Sequence, residues 1–174
     1  SEAKTTLQLT IDQDISLADA YQIQRLSIQR RLSRGEKLTG YKLGFTSRAK
    51  MIQMGVDDLI WGRLTDAMSI PNQGVMWMNN FIHPRVEPEI AFLLNKPLSG
   101  KVSIVEAMDA IQAIAPALEI IDSRFRDFKF SHIDVVADNC SSSGYVVGGW
   151  QDPTIDFGNL SMNTDEILKK INKK

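Results

Sequence analysis

The chain has few of the residues that form disulfides, zinc sites and thiol nucleophiles. Among its 174 residues are one cysteine, Cys140, and two histidines, His83 and His132. One cysteine excludes an internal disulfide, which fits a reducing compartment, and so few soft ligands argue against zinc. A lone cysteine is also more often a small buried hydrophobe than a nucleophile.

The sequence also has little net charge and no long apolar run. The formal net charge is -1, and the basic residues are scattered apart from a lysine-rich end at Lys169–Lys174. Nucleic-acid binding usually requires a basic stripe, a membrane span needs about 20 apolar residues, and a signal peptide needs an apolar segment that the N-terminus lacks. We therefore expect a soluble, cytoplasmic protein that binds neither nucleic acid nor membranes.

Two common active-site motifs are absent as well. The sequence contains neither G-x-G-x-x-G nor G-x-S-x-G. The first absence argues against a dinucleotide-binding fold, and the second argues against a serine nucleophile on a sharp strand-to-helix turn.

Helical and strand patterns alternate along the chain, which predicts one α+β domain over residues 1–174. Ser16 and Asp19 form a capping signal for a helix over Ser16–Arg34, and a second signal at Ser103 predicts a helix that ends before Pro116. The apolar side of the first helix is predicted to consist of Leu17, Tyr21, Ile28 and Leu32. Strands are predicted at Tyr41–Phe45, Val86–Leu94, Ala117–Asp122, Val135–Ala137 and Tyr145–Gly148. A helical turn is predicted at Arg48–Met54 and a short amphipathic helix at Asp165–Lys173.

Two glutamates stand two residues apart in the strand predicted at Val86–Leu94. Residues at this spacing point to the same side of a strand, so Glu87 and Glu89 share one face. Pro88 between them removes a ladder hydrogen bond, which predicts an edge or bulged strand. Neighbouring carboxylates repel unless a cation lies between them, and their hard oxygens suit Mg2+, Mn2+ or Ca2+. On this pattern alone, however, a solvated strand face is the more common interpretation.

A third glutamate favours the metal-site interpretation. Glu119 lies inside the apolar strand predicted at Ala117–Asp122, where an unpaired charge would be costly. It either joins the other two glutamates in a three-carboxylate site or forms a buried salt bridge with Arg85 or Arg124.

Lys42 lies between Gly40 and Gly44 in a mostly apolar strand. Its side chain either extends along the surface to reach solvent or points into a pocket. In a pocket beside a metal-bound oxo acid, a cation could hold a carboxylate or relay a proton.

Four ordered segments lie between about Ser16 and Gly149: Gly40–Ser47 (GYKLGFTS), His83–Phe92 (HPRVEPEIAF), Pro116–Arg124 (PALEIIDSR) and Val136–Asn139 (VADN). Together they resemble the hydratase/decarboxylase branch of the fumarylacetoacetate hydrolase superfamily. The resemblance implies a mixed β-roll fold with an N-terminal helix and a Mg2+ or Mn2+ ion. It also implies a small 2-oxo or 2-hydroxydienoate acid of aromatic meta-cleavage catabolism as substrate.

The same resemblance implies roles for individual residues. Lys42 matches the active-site lysine of the family. The metal ligands that it implies are Glu87, Glu89 and Glu119. The residues that it implies to line or support the pocket are Ser47, Ile60, Arg124 and Asp138.

Position 60 separates two activities within this branch. The hydratases typically carry an aspartate there, and this chain has Ile60. An isoleucine cannot position water or move a proton, whereas loss of CO2 mainly requires an electron sink and a dry wall. We expect metal-dependent decarboxylation of 2-oxo-3-hexenedioate (4-oxalocrotonate) to 2-hydroxy-2,4-pentadienoate. The alternatives are hydration of that dienoate, C–C hydrolysis as in other members of the superfamily, and a non-catalytic subunit that stabilises an active partner.

The end of the chain departs from the resemblance. The family continues with glycine-rich strands that close the roll, but Trp150–Lys174 matches them poorly. We expect a helical segment over residues 1–35, the metal-site part of the roll over 36–149 and a poorly matched tail over 150–174, so that the roll is incomplete. We also expect a homo-oligomer, alone or in complex with a pathway hydratase.

Overall fold

The protein is described here by a computed structural model, in which residues 5–11, 14–46, 51–52 and 59–154 are placed. Ser47, all of the helix predicted at Asp165–Lys173 and most of the turn predicted at Arg48–Met54 lie outside the described residues. The helices with both ends in the described part are α1 (Leu17–Ser33), α2 (Ile104–Asp109) and α3 (His132–Ala137). The strands are β1 (Leu38–Gly44), β2 (Ile60–Thr65), β3 (Arg85–Leu94), β4 (Ile111–Ile121) and β5 (Ser142–Val147).

The strands form two sheets, and this mixture of helix and sheet confirms the α+β prediction. β1 pairs with β2 in antiparallel fashion, with Lys42 opposite Gly62. The second sheet has the order β3-β4-β5, and its antiparallel β4–β5 pair sets Glu119 opposite Tyr145. β3 therefore lies at a sheet edge, as Pro88 predicts, because proline cannot donate to a neighbouring strand.

Helix α1 begins and ends where the capping signals predict. The Ser16 side chain accepts a hydrogen bond from the backbone of Asp19 and the Asp19 side chain accepts one from Ser16, which completes a capping box. The predicted apolar face was partly wrong, since Leu17 and Leu32 are 40% and 37% exposed. The residues that α1 buries are Ala20, Gln24 and Ile28.

Gln24 is buried on α1 because its amide connects two other elements. Its Nε2 donates to the carbonyl oxygens of Trp61 in β2 and Val136 in α3, each at 3.0 Å. Its Oε1 accepts from the Arg63 guanidinium at 2.7 Å. A buried amide is tolerated when its hydrogen bonds are satisfied, as they are here. A search for apolar residues at helical spacing could not have predicted that Gln24 is buried.

The chain forms two compact units. The first comprises Ser1–Glu89 and Ala117–Val147, and the second comprises Ile90–Pro116 and Gly148–Lys174. A single domain over 1–174 therefore stays a prediction. The apolar core of the first unit consists of Ala20, Ile60, Val135, Val136, Ala137 and Cys140.

Two secondary-structure predictions were wrong. The helix that begins after Ser103 ends at Asp109, and Pro116 lies within strand β4. Ile104 and Met108 are 83% and 58% exposed, so this helix has no core face to prolong it, and the isoleucines that follow favour a strand.

The other error concerns Val135–Ala137, which belong to helix α3 rather than to a strand. Ser131 and Asp134 form a capping box at its start. The same S-x-x-D signal that marks α1 was therefore present here. The short apolar run obscured it, because runs of this length do not distinguish a buried helix from a strand.

Across the described residues, no helix combines the length and the apolar character that crossing a bilayer requires.

Candidate metal centre

Three carboxylates from two strands come together. Glu87 and Glu89 of β3 and Glu119 of β4 each offer an oxygen, and these oxygens all lie within 4.8 Å of one another. The alternation of β3 supplies the first two, and β4 supplies the third from a buried position, since Glu119 is only 4% exposed. The structure thus brings together the three glutamates that the sequence singles out.

Lys42 of β1 reaches the same place. Its Nζ lies 2.9 Å from Glu119 Oε2, and the two side chains are 10% and 5% exposed. Lys42 therefore does not extend to the surface, and the cation paired with Glu119 is neither Arg85 nor Arg124. Arg85 instead stacks over the ring of Phe128 at 3.8 Å.

The pKa shifts and the net charge of the cluster indicate that it would be stabilised by a cation. Burial raises the pKa of Glu119, while Lys42 and the Ser142 hydroxyl act in the opposite direction. Burial also raises the pKa of Glu89, and repulsion by Glu119 and Glu87 adds to the effect. Three carboxylates and one ammonium leave two negative charges, which a divalent cation would neutralise.

The spacing of the oxygens suits a small hard cation. Oxygens around octahedral Mg2+ lie about 2.1 Å from the ion, and so about 3 to 4 Å from one another. The observed limit of 4.8 Å requires only a small contraction of the side chains. The donor set is made of carboxylates alone, which fits Mg2+, Mn2+ or Ca2+ and not zinc.

Two neighbouring residues support the carboxylates. Ser142 of β5 donates its hydroxyl to Glu119 Oε1 at 3.1 Å. Asp122, at the end of β4, accepts the backbone N–H groups of Ile82 and His83, each at 2.8 Å. Asp122 thereby anchors the segment that leads into β3. Sequence reasoning missed both roles, because a serine run and an aspartate after a strand are also typical of plain turns.

Ile60 lies in the apolar core and not at an open surface. It is 2% exposed, and its Cγ1 would lie 2.8 Å from a Cβ added at Gly44, the residue opposite it in β1. This apolar side chain can therefore exclude water from its surroundings. Cys140 shares this core, and burial raises the pKa of its thiol to about 12, so it stays a protonated hydrophobe at neutral pH.

Arg124 and Asp138 form an ion pair. Arg124 Nε lies 2.7 Å from Asp138 Oδ1, and the Arg124 backbone N–H donates to Oδ2 at 3.1 Å. Burial raises the pKa of Asp138 to about 6 and the guanidinium opposes that rise. The pair joins the end of β4 to the end of α3, which supports the segments around Glu119.

We expect Arg124→Met to destabilise the protein in a pH-dependent way. Without the guanidinium, the buried Asp138 carboxylate loses its cation, which should cost about 2 kcal/mol at pH 7.5 after allowance for the 41% exposure of Arg124. The folded-state pKa of Asp138 lies above its ordinary value, so protonation favours the folded state. The loss should therefore shrink as the pH falls towards 5.

Urea unfolding at pH 7.5 and pH 5 measures this effect. The matched control is Arg126→Met, since Arg126 is exposed and its side chain has no partner among the described residues. A loss of stability in Arg124→Met that is equal at both pH values would contradict the interpretation.

A polar cavity of about 560 Å³ lies next to the carboxylates. Its lining includes Ser142, whose hydroxyl contacts Glu119, but neither the three glutamates nor Lys42. It is therefore a neighbour of the carboxylate cluster and not the cluster itself. Four arginines line it: Arg30, Arg31, Arg34 and Arg124.

Comparison with known protein families gives a match that covers most of the chain. Residues 41–168 match the family described as fumarylacetoacetate (FAA) hydrolase C-terminal. The chain belongs to this family. Lys42 and the three glutamates of the carboxylate cluster all lie within the part of the chain that matches the family.

Its relatives include enzymes of two named activities. A 4-oxalocrotonate decarboxylase of Pseudomonas sp is 57% identical over 159 residues, which cover 91% of this chain and 62% of that protein. A 2-keto-4-pentenoate hydratase of Paraburkholderia xenovorans (strain LB400) is 39% identical over 136 residues, covering 78% and 51%. The chain thus spans less than two thirds of the length of these relatives.

A solved structure confirms the fold of this family member. The 4-oxalocrotonate decarboxylase from Pseudomonas putida G7, complexed with magnesium and adipate, superposes with a TM-score of 0.83 at 40% identity. The match covers 86% of this chain and 58% of that one. The fold predicted from the resemblance, a member of this family with an N-terminal helix, is therefore correct.

Proposed function

We propose that this chain carries the metal site of a Mg2+-dependent decarboxylase of 2-oxo-3-hexenedioate. The observation that carries the proposal is the cluster of Glu87, Glu89 and Glu119 with Lys42 at 2.9 Å from Glu119. The relatives support it, because the decarboxylases share more identity with this chain than the hydratase does. The solved relative was complexed with magnesium and with adipate, a six-carbon diacid.

The reaction balances with one proton taken up. The bond between C5 and C6 of the substrate breaks, C6 leaves as CO2, and the electron pair moves through the C3–C4 double bond to the 2-oxo oxygen, which is protonated. When bound, a divalent cation supplies an electrophile for the 2-oxo acid end of the substrate.

The residues of the chain would bind the ion, hold the substrate and supply the proton. Glu87, Glu89 and Glu119 would hold the ion. Lys42, whose ammonium already lies in the cluster, would contact the substrate carboxylate or supply the proton. Ile60, which is buried in the apolar core, would offer no base to activate water. Ser47, Arg124 and Asp138 remain proposed supports of the pocket, Arg124 and Asp138 through their ion pair.

The second candidate is hydration of 2-hydroxy-2,4-pentadienoate, the chemistry suggested by the hydratase relatives. The apolar side chain of Ile60 disfavours it. We also retain two proposals about assembly: a homo-oligomer, and a complex with a pathway hydratase. Sedimentation of the chain alone and with a hydratase tests both.

The deciding experiment supplies each substrate separately with Mg2+ and follows CO2 release and dienoate loss. We expect CO2 release from 2-oxo-3-hexenedioate to be faster than hydration of the dienoate. Faster hydration would move the chain to the hydratases. Binding of Mg2+ without either activity would favour the non-catalytic partner subunit.

A further inference from the structure

Three consecutive residues after Asp138 have an unusual backbone conformation. Asn139, Cys140 and Ser141 have φ angles of 52°, 54° and 58°, in the left-handed region. None is glycine, and residues with a Cβ adopt this region at a cost. Such a segment, here called the left-handed turn, persists only where its surroundings hold it, and segments of this kind cluster at functional sites.

The left-handed turn is held against β2 by one side chain and one close approach. Asn139 Oδ1 accepts the backbone N–H of Arg63 at 2.8 Å, and Asn139 Nδ2 donates to the Arg63 carbonyl at 2.9 Å. Beside this pair, a Cβ added at Gly62 would lie 2.7 Å from the Asn139 carbonyl oxygen. The turn therefore fits against β2 only because residue 62 is glycine.

From this position, the turn and the residue that follows it contact the two partners of the buried ion pair. The Cys140 carbonyl oxygen accepts a hydrogen bond from Lys42 Nζ at 3.3 Å. The next residue after the turn, Ser142, donates its hydroxyl to Glu119 Oε1 at 3.1 Å. A rotation of the turn would thus move the acceptor for Lys42 and the donor for Glu119 together.

We propose that Asn139 is a positioning residue. By pairing with the Arg63 backbone, it holds the left-handed turn in place. The turn thereby lets Cys140 orient Lys42 and Ser142 orient Glu119. This inference rests on the proposed function for its relevance to catalysis, but the geometry itself exists without metal or substrate. Residues that orient metal ligands typically change metal affinity 10- to 100-fold when replaced, on the order expected here.

Two variants displace the turn by independent routes. Asn139→Ala removes the pairing with Arg63. Gly62→Ala inserts a methyl group 2.7 Å from the Asn139 carbonyl oxygen and 3.2 Å from the Ser142 hydroxyl, so only Asn139→Ala acts through the turn alone. Gly149→Ala is the matched control for the second variant, since an added Cβ there has no atom within 4 Å. Thr65→Val controls for stability, because it removes a buried hydrogen bond to Glu36 elsewhere in β2.

The primary measurement is the rate at which acetic anhydride labels Lys42 in the metal-free, full 174-residue chain, with exposed Lys37 as internal standard. We expect Lys42 to be labelled severalfold faster than in wild type in Asn139→Ala and Gly62→Ala. In Gly149→Ala and Thr65→Val, the labelling rate of Lys42 should equal that of wild type. Calorimetric Mg2+ affinity should fall by about tenfold in the same two variants. Their kcat should fall more than their KM rises.

Unchanged labelling of Lys42 in both turn variants, or an equal increase in Thr65→Val, would overturn the proposal. A wild-type chain that binds no Mg2+ while the labelling still responds would instead refute the proposed function and leave the positioning role intact. The two failures are therefore distinguishable.

Discussion

Replacing Glu87 and Glu89 by glutamine is expected to abolish Mg2+ binding while the fold persists. Two of the three clustered carboxylates lose their charge, and the remaining Glu119 is already paired with Lys42 at 2.9 Å. Wild-type protein should gain about 2.7 kcal/mol of stability at a Mg2+ concentration 100 times the dissociation constant. The double variant should gain none.

Without Mg2+, the same double variant should be slightly more stable than wild type. Burial and the neighbouring carboxylates raise the pKa of Glu89, so its charge opposes folding. Relief of this repulsion on a partly exposed strand is worth about 0.5 kcal/mol.

Calorimetric titration and thermal unfolding with and without Mg2+ measure both effects. The charge-matched control is Asp14→Asn with Asp127→Asn, two exposed aspartates without side-chain partners in the described part of the chain. Wild-type affinity in the glutamine variant would remove the basis for the metal centre.

Replacing Lys42 by methionine should have three linked effects. The buried Glu119 carboxylate loses its cation, which should cost about 3 kcal/mol in the metal-free protein. Mg2+ should restore most of that stability and bind at least as tightly as in wild type, because no ammonium competes for Glu119. Turnover should still fall by about 100-fold or more, since loss of a proton-transferring or substrate-holding group has this magnitude.

Steady-state kinetics at saturating Mg2+, together with unfolding at several Mg2+ concentrations, separate these effects. Lys37→Met is the control, because Lys37 is exposed and its side chain has no partner among the described residues. Full turnover by Lys42→Met would show that the lysine only neutralises Glu119.

Local patterns in the sequence predicted what depends on local geometry. The capping signal at Ser16 placed the start of α1 to within one residue, and strand alternation predicted that Glu87 and Glu89 share a face. The edge position of β3 followed from Pro88. In each case the signal lies within four residues of the feature that it predicts.

The features that the sequence did not predict depend on distant partners. Nothing near Lys42 indicates Glu119, and nothing near Gln24 indicates the Val136 carbonyl that it contacts. The helix predicted to end at Pro116 failed for the same reason, since Ile114 pairs with the distant Gln151 and β4 lies between β3 and β5. The left-handed turn was invisible because Asn139 adopts it through contact with the Arg63 backbone.

The hydrogen bonds of Asp122 have a consequence for the choice of ion. Both of its carboxylate oxygens are occupied by the N–H groups that precede β3, so β3 is fixed near its start to the strand that carries Glu119. Together with the pairing of β3 and β4, this anchor limits how far Glu87 and Glu89 can move away from Glu119, so the radius of the ion affects which cation the site prefers. Loosening the anchor by Asp122→Asn should shift preference from Mg2+ towards Ca2+, the larger ion with longer, more variable bonds.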